Sequence, residues 1–397
     1  MFKRNVLAVS MTLAALCSAQ AAMADINGGG ATLPQQLYQT PGVLTAGFAQ
    51  YIGVGSGNGK AAFLTNDYTK FVAGVTNKNV HWAGSDSKLS ATELSTYATN
   101  KQPTWGKLIQ VPSVATSVAI PFNKAGDAAV DLSVQELCGV FSGRITDWGD
   151  ISGADRTGPI TVVYRSESSG TSELFTRFLN AKCNAEAGTF AVTTTFGTSF
   201  SGGLPAGAVS AAGSQGVMNA LGAAEGRITY MSPDYAASTL EGLDDATKVA
   251  RVGKDEAQGV EGVSPAPGNV SAAIALVPVP ATSPASVRAN QDNWVPVFGK
   301  DGVTGVQPYP TSGYPILGFT NLIFSQCYAN AGQTGQVRDF FTKHFGATAN
   351  NDAAISANRF VPLPANWKTA ITDTFVTSTS ALSIGKSDVC NGIGRPL

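Results

Sequence analysis

The segment Arg165-Ser166-Glu167-Ser168-Ser169-Gly170-Thr171 lies between a strand-like and a helix-like pattern. The apolar run Ile160–Tyr164 precedes it, and apolar residues at helical spacing follow it from Leu174 to Leu179. Free backbone N–H groups at a helix start, with hydroxyls and a glycine nearby, favour an anion. Arg165 adds a planar cation that suits phosphate-like oxyanions. An ordinary helix cap with a surface arginine would explain this segment alone equally well.

The beginning of the chain has the pattern of a secretory signal peptide. Met1–Arg4 is charged, an apolar run continues through Leu16, and Ala22-Met23-Ala24 is a typical cleavage site. Because the apolar run is too short to span a bilayer, we expect cleavage after Ala24 and a secreted or periplasmic protein with no stable membrane insertion. Its removal takes two positive charges from the formal net charge of −1, which leaves −3.

The cysteines beyond this segment are even in number, which suits disulfide bonds in an oxidising compartment. They are Cys138, Cys183, Cys327 and Cys390. Four cysteines allow three pairings, and we favour the sequential one, in which each bond joins one region of the chain. Because the chain has no C-x-x-C pair and only 2 histidines, we expect no metal site and no cofactor.

The charge balance argues against a nucleic-acid partner. The 26 Lys and Arg residues are matched by 27 Asp and Glu residues, and no basic cluster or tail occurs. The chain is long enough for two domains with cores of their own. An anionic small molecule remains compatible with an acidic chain, because local donors decide its binding.

Strand-like and helix-like segments alternate over most of the sequence, which predicts an α/β fold with largely parallel sheets. In such sheets ligands bind beyond the carboxyl ends of strands, beside helix starts. The predicted strands are Ile109–Val111, Val114–Phe122, Ile160–Tyr164 and Arg227–Met231, and the predicted helices are Val134–Phe141, Thr171–Leu179 and Gln336–Phe345.

Three further loops fit this description: Asp25–Pro34, Tyr51–Lys60 and His81–Ser87. The first two are glycine-rich, which invites comparison with nucleotide-binding motifs. Around Gly53 a G-x-G-x-x-G pattern lacks its third glycine, and a phosphate-loop pattern lacks both its first glycine and the hydroxyl residue after Lys60. Nucleotide binding is therefore disfavoured, and each glycine-rich segment alone is typical of a flexible turn.

Together these four segments resemble the DING proteins, secreted relatives of the periplasmic phosphate-binding protein of bacterial phosphate ABC transporters. The most specific likeness is Asp25-Ile26-Asn27-Gly28-Gly29-Gly30-Ala31-Thr32-Leu33-Pro34, and it extends over essentially the whole mature chain. The resemblance implies a two-lobed periplasmic-binding-protein fold of type II (venus-flytrap). Two mostly parallel sheets, flanked by helices, would close about a hinge on one inorganic phosphate. We expect residues 25–113 and 314–397 in the first lobe and residues 114–313 in the second.

The resemblance also assigns the residues that hold phosphate. They are the Thr32 hydroxyl, the Leu33 backbone N–H, Ser56 and the proton-accepting Asp86 from the first lobe, with Arg165, Ser169, Gly170 and Thr171 from the second. A carboxylate can face this anion because HPO₄²⁻ and H₂PO₄⁻ still carry a proton for it to accept. Sulfate carries none, so we expect Asp86 to select phosphate by repelling sulfate. Considered alone, Asp86 is more typical of a cap for a following turn than of a ligand-binding residue.

The competing interpretation is a secreted alkaline phosphatase, a phosphomonoesterase or phosphodiesterase acting at the same cleft, because some close relatives carry that name. The residues favour capture without chemistry. Two-metal phosphatases need several His and Asp ligands, and a G-x-S-x-G serine motif is absent. No activating base is evident for Ser56, Ser169 or Thr171.

We expect a monomer with inorganic phosphate as its ligand. By resemblance, the expected protein partner is a phosphate ABC transporter or the secretion machinery. The segment Val260–Lys300 is longer than its counterpart in transporter components, which argues against docking to a membrane permease.

Overall fold

Two six-stranded β-sheets flanked by helices make up the frame of the molecule, which confirms the expected two-lobed α/β fold. The computed structural model describes residues 26–183 and 188–395. The expected signal peptide, residues 1–24, and its cleavage site after Ala24 lie outside these ranges. The strands are β1 (Gly28–Gly30), β2 (Ile52–Gly53), β3 (Trp82–Ser85), β4 (Leu108–Ser117), β5 (Ile120–Asn123), β6 (Asp131–Leu132), β7 (Thr161–Arg165), β8 (Val209–Ala211), β9 (Arg227–Thr229), β10 (Val249–Val252), β11 (Phe298–Gly299), β12 (Gln307–Pro308), β13 (Leu317–Ser325) and β14 (Val361–Pro362).

Both sheets are mixed. The first has the order β14-β4-β13-β3-β1-β2 and the second the order β6-β10-β5-β9-β7-β8. β1 runs parallel to β2 and β3, and β7 runs parallel to β8 and β9. β13 is antiparallel to β3 and β4, and β5 is antiparallel to β9 and β10. The expectation of mostly parallel sheets is therefore met around β1 and β7. It is not met at β5 and β13, which pair with their neighbours in antiparallel fashion.

Helices cover the sheets and are named below by their first residue. The predicted helices at 134–141 and 171–179 are present, each with slightly wider bounds. The third predicted helix begins earlier, at Ala331, because the Asn330 side chain caps it by accepting from the Gly332 N–H at 2.7 Å. The helices are Gln35–Gln39, Ser56–Thr65, Ala91–Asn100, Gln102–Trp105, Val134–Ser142, Gly170–Lys182, Gly213–Gly222, Pro233–Ala236, Gly268–Ala275, Ser286–Ala289, Ala331–His344, Asp352–Ala357 and Ala365–Phe375.

Two segments that carry the chain between the sheets are hydrogen-bonded to each other. The first joins β4 to β5 through Val118 and Ala119, and the second enters β13 through Ile316. The Val118 N–H donates to the Ile316 carbonyl at 2.8 Å. The Tyr314 hydroxyl donates to the Val118 carbonyl at 2.7 Å. This paired connection is where a hinge between the lobes would bend.

The glycine run near the start of the chain is a buried strand, β1, and not the flexible turn that its composition suggested. Trp82 of β3 fills the space beside Gly28, where an added Cβ would lie 2.1 Å from the indole nitrogen. The Ser56 helix is also close, because a Cβ on Gly59 would lie 2.5 Å from the Gly30 Cα. Glycine is required here because helix and strand backbones approach each other closely.

Both disulfide bonds follow the sequential pairing expected from the sequence. Cys138 in the Val134 helix bonds to Cys183, which follows the Gly170 helix, with Cα atoms 5.7 Å apart. Cys327, which follows β13, bonds to Cys390 with Cα atoms 5.3 Å apart. The bonds span 45 and 63 residues, so each restricts a long stretch of the unfolded chain.

Part of the segment 260–300 packs against the last helix of the chain. Trp294 is fully buried, and the centre of its ring lies 4.8 Å from the ring centre of Phe375 and 6.4 Å from that of Trp367. The Arg288 guanidinium donates to the Thr374 hydroxyl at 3.1 Å. The Ala365 helix is thereby covered by residues that lie far from it in sequence.

The buried side chain of Arg395 fastens the last described residues to the Ser56 helix and to the segment before β3. Its guanidinium donates to the carbonyls of Val80 and Phe63 and lies 3.7 Å from the centre of the Phe63 ring. Burial lowers the pKa of Arg395 to about 10, so the group stays cationic at neutral pH. Carbonyl oxygens and aromatic faces hold this cation.

Arg395→Met is expected to lower the free energy of unfolding by about 2–4 kcal/mol, because two buried carbonyls lose a charged donor and Phe63 loses its cation. Urea unfolding followed by circular dichroism measures the change. Lys248→Met, at an exposed position, is the control and should cost less than about 0.5 kcal/mol. A loss for Arg395→Met no larger than that of the control would contradict the anchoring role.

Candidate anion-binding site

Five loops converge where parallel strands end. Thr32 follows β1, Ser56 follows β2 and Asp86 follows β3, while Arg165 ends β7 and Ser214 follows β8. Because β1, β2 and β3 are parallel neighbours, as are β7 and β8, the carboxyl ends of each set share one edge of a sheet. The two edges face each other, as the following contacts show.

Asp86 lies at the centre of the contacts between the lobes. It is 4% exposed, and its Oδ2 atom accepts a hydrogen bond from the Thr171 hydroxyl at 3.3 Å. Its backbone N–H donates to the Ser56 Oγ at 3.1 Å. Asp86 therefore contacts a hydroxyl of the second lobe through its carboxylate and a hydroxyl of its own lobe through its backbone N–H.

Gly170 lets the two sides approach without a side chain between them. A Cβ at this position would lie 2.4 Å from the Ser56 Oγ and 2.6 Å from the Asp86 Cβ. The Gly57 N–H donates across the same boundary to the Ser168 carbonyl at 3.2 Å. The lobes are thus closed on each other at this point.

The start of the Gly170 helix is capped by Ser169. The Ser169 side chain accepts from the Ser172 N–H at 3.2 Å, and the Ser169 N–H donates to the Thr194 carbonyl at 2.9 Å. The cap fixes the helix start, where backbone N–H groups and the helix dipole favour negative charge.

Arg165 is held by a residue that sequence analysis did not assign. Arg165 is 3% exposed, and its Nε donates to the Glu167 Oε1 at 2.8 Å, while Nη2 reaches the same oxygen. The Gly213 N–H also donates to Glu167 Oε1, at 3.1 Å. Glu167 therefore orients the guanidinium and ties it to the start of the Gly213 helix. The position of Glu167, two residues after Arg165, was the signal in the sequence that could have identified it as the partner of this guanidinium.

Thr32 contacts a second unassigned residue across the lobes. Its Oγ1 lies 3.0 Å from the Ser214 Oγ and accepts from the Ser214 N–H at 3.2 Å. The Gly213 helix was not predicted, although Val217 and Leu221, both buried, have helical spacing. Leu33, beside Thr32, has its side chain fully buried in the main hydrophobic core.

Burial dominates the electrostatics of the carboxylate. It raises the pKa of Asp86 to about 6, against the opposing effects of Thr320, Arg165, Thr171 and Ser56. The Asp86 Oδ1 atom is buried and has no hydrogen-bond partner among the described residues. Above about pH 6 the site therefore holds a carboxylate with one free acceptor oxygen, close to a buried guanidinium.

His81 is packed in the protein interior and holds a backbone hydrogen bond. Its Nδ1 accepts from the Asn27 N–H at 3.0 Å, and burial lowers the pKa of His81 to about 3.

Among residues 26–183 and 188–395, no group of three His, Cys, Asp or Glu side chains is arranged to hold a metal ion. Within the same ranges, no helix has the length and apolar character needed to cross a bilayer.

Comparison with known proteins places this geometry in a family. A model of the PBP superfamily domain matches residues 32–342. The chain belongs to the PBP superfamily. A solved structure of a high affinity periplasmic phosphate-binding protein (PfluDING), bound with phosphate at pH 8.5, is 80% identical to this PBP-superfamily chain, with a TM-score of 0.92. The match covers 94% of this chain and 100% of the other, and it confirms the resemblance to the DING proteins.

Two relatives of this PBP-superfamily chain carry different names. A "Phosphate-binding protein" from an unknown prokaryotic organism is 72% identical over 94% of this chain and 100% of its own length. An "Alkaline phosphatase L" from Pseudomonas aeruginosa is 71% identical over 100% of both chains. The two names correspond to the two functions considered in the sequence analysis, phosphate binding and phosphatase activity.

Gly170→Ala is expected to weaken phosphate binding by roughly ten- to a hundredfold, because the added methyl group holds the closed lobes apart at Ser56 and Asp86. Titration calorimetry with phosphate measures the loss. Gly216→Ala is the matched control, since a Cβ there lies 3.8 Å from its nearest neighbours. Equal affinities for the two variants would show that the lobes need not approach this closely.

Asp86→Asn is expected to stabilise the ligand-free protein at neutral pH. The folded pKa of Asp86 is raised to about 6, so the folded state binds this proton more tightly than the unfolded state, and stability falls as pH rises through the interval between the two pKa values. At pH 7 the buried carboxylate should cost about 3 kcal/mol, and near pH 4 much less.

Urea unfolding of dialysed, phosphate-free protein at both pH values checks this difference. Asp301→Asn, at an exposed position, is the control and should leave stability nearly unchanged at either pH. An Asp86→Asn variant that is less stable than the parent at neutral pH would contradict the assigned burial cost.

Proposed function

We propose that this protein captures inorganic phosphate in the cleft between its two lobes. The observation that carries the proposal is the Asp86 carboxylate, which is buried beside Arg165 and keeps one acceptor oxygen free. A buried carboxylate would repel most anions. It suits an anion that brings its own proton to the unpartnered oxygen. The phosphate bound by the relative PfluDING supports the same ligand.

The surrounding groups can donate to the remaining oxygens of the anion. The proposed donors are the Thr32, Ser56 and Ser169 hydroxyls, the Leu33 and Gly170 N–H groups and the Arg165 guanidinium. The Thr171 hydroxyl, which donates to Asp86 in this structure, would turn to donate to the anion when it binds. Most of these side chains are buried, so contacts to a charged ligand would be stronger than in water. Glu167 keeps Arg165 in place while the ligand is exchanged.

The same carboxylate gives the site its selectivity. Phosphate near neutral pH can donate a hydrogen bond to Asp86, whereas sulfate would place lone pairs against it. Leaving a buried acceptor unpaired costs about 1–3 kcal/mol, and more for charged groups. Phosphate is therefore preferred over its isostere by at least roughly ten- to a hundredfold.

The cellular setting remains part of the proposal. We infer export with cleavage after Ala24 into the periplasm or beyond, in keeping with the periplasmic relative. The lobe boundaries at 113/114 and 313/314 and a monomeric state belong to the same proposal. Transfer of phosphate to an ABC transporter is favoured by the family alone, and the length of the segment Val260–Lys300 argues against it. Pairing of Val118 with Ile316 supports a hinge close to both boundaries.

Hydrolysis of phosphate esters is less well supported than capture. In the closed cleft Thr171 donates to the Asp86 carboxylate and Ser56 accepts from the backbone N–H of the same residue. Ser169 is engaged as a helix cap. Each hydroxyl therefore has a structural partner, and phosphatase activity is suggested by the names of relatives and by no arrangement of these hydroxyls.

The test of this function measures ligand and turnover on the same sample. Purified protein should release bound phosphate on denaturation, bind phosphate in calorimetry and leave p-nitrophenyl phosphate uncleaved. Arg165→Ala should weaken phosphate binding by more than about a hundredfold, because the buried anion loses its paired cation. Asp86→Asn should weaken phosphate and strengthen sulfate, because an amide can donate to either anion.

Arg144→Ala, at an exposed position, is the control and should bind phosphate as the parent does. Rapid turnover of p-nitrophenyl phosphate that is lost in Asp86→Asn would replace capture by catalysis. Unchanged sulfate competition in Asp86→Asn would refute the role given to the carboxylate.

A further inference from the structure

Strand β13 brings a threonine from the hinge region to the central carboxylate. The register between β13 and β4 shifts at this point. Thr320 pairs with Val114, but the next residue, Asn321, pairs with Pro112, so Ser113 is left out of the pairing. Proline cannot donate to the ladder, and such irregularities re-aim side chains beside functional sites. The next residue of β13, Asn321, is opposite Ser85, and its Nδ2 donates to the Ser85 carbonyl at 3.1 Å. The strand is therefore fixed immediately next to Asp86.

Thr320 has an unused hydroxyl at this place. The residue is 0% exposed, and its Oγ1 has no hydrogen-bond partner among the described residues. The Asp86 Oδ1 is also buried and unpartnered. Although the two groups form no hydrogen bond of regular geometry in this conformation, the Thr320 hydroxyl is near enough to lower the pKa of Asp86 against the larger effect of burial. A buried donor and a buried acceptor, each without a partner, thus lie side by side.

We propose that Thr320 is a positioning residue for anion selection, whose hydroxyl donates to the Asp86 carboxylate when phosphate is bound. This inference rests on the proposed function and extends it to a residue outside the five converging loops. Each carboxylate oxygen has two lone pairs, so Oδ1 can accept from Thr320 and from the ligand together. The hydrogen bond from Thr320 holds the carboxylate in its ionised form and fixes its plane, so that the second lone pair of Oδ1 stays directed at the proton of the ligand. Because β13 and β3 pair directly in the first sheet, the donor and the acceptor remain neighbours whether the lobes are open or closed.

Other charged and titratable groups face the same carboxylate and would act with Thr320. Arg165 lowers the pKa of Asp86 from the second lobe. The buried Tyr38 and Tyr51 hydroxyls face it from the first lobe, and the negative charge of Asp86 helps to raise the pKa of each, after the larger effect of burial. These groups are the same in the variants below, so their influence on the pH profile cancels in the comparison.

The test compares the preference for phosphate over sulfate across pH. Calorimetric affinities for both anions would be measured between about pH 5 and about pH 8 for the parent protein and for Thr320→Val. In the parent, the preference should fall as Asp86 becomes protonated on acidification, because a carboxylic acid can donate to either anion. In Thr320→Val the fall should begin about one pH unit higher, with the preference at pH 7 reduced roughly tenfold.

Two further variants separate positioning from simple loss of stability. Thr320→Ser keeps the hydroxyl and should restore the parent profile. Thr116→Val removes a buried hydroxyl that donates to the Ser117 carbonyl on the neighbouring strand β4, and it should leave the profile unchanged. A Thr320→Val profile that coincides with the parent's, even with a lowered melting temperature, would overturn the inference. Absence of phosphate binding in the parent would instead refute the proposed function.

Discussion

The burial of one carboxylate between two lobes is the constraint on which this molecule is built. Asp86 comes from the first sheet, and Gly170 and Thr171 close over it from the second. Burial makes the charge costly and raises the pKa of Asp86 to about 6. A ligand that supplies a proton to the free oxygen relieves that cost. Affinity and selectivity therefore share one physical origin, and the closed lobes are its structural condition.

Much of the fold followed from the sequence because the decisive signals are local. The apolar run before Arg165 and the helical stripe after Thr171 predicted β7 and the Gly170 helix. Resemblance then joined the separate loops, which spacing alone could not do. The structure brings Thr32, Ser56, Asp86, Arg165, Ser169, Gly170 and Thr171 to facing sheet edges.

The features that were missed depend on contacts between distant parts of the chain. Ser214 and Thr32 are 182 residues apart, and no local pattern links them. The run Gly28–Gly30 suggested a turn, and only the packing of Trp82 and of the Ser56 helix makes it a strand. Likewise, Thr320 reads as an ordinary strand residue until the pairing of β13 with β3, which sets Asn321 opposite Ser85, brings it next to Asp86. Tertiary packing overrides local propensity in each case.

The most direct measurement is a crystal structure with phosphate at a resolution that shows hydrogen positions. The account predicts one phosphate between the facing helix starts, the lobes closed, and a proton shared between the anion and a carboxylate oxygen of Asp86. A phosphate bound elsewhere, or one whose unprotonated oxygen faces a protonated Asp86 at neutral pH, would contradict it.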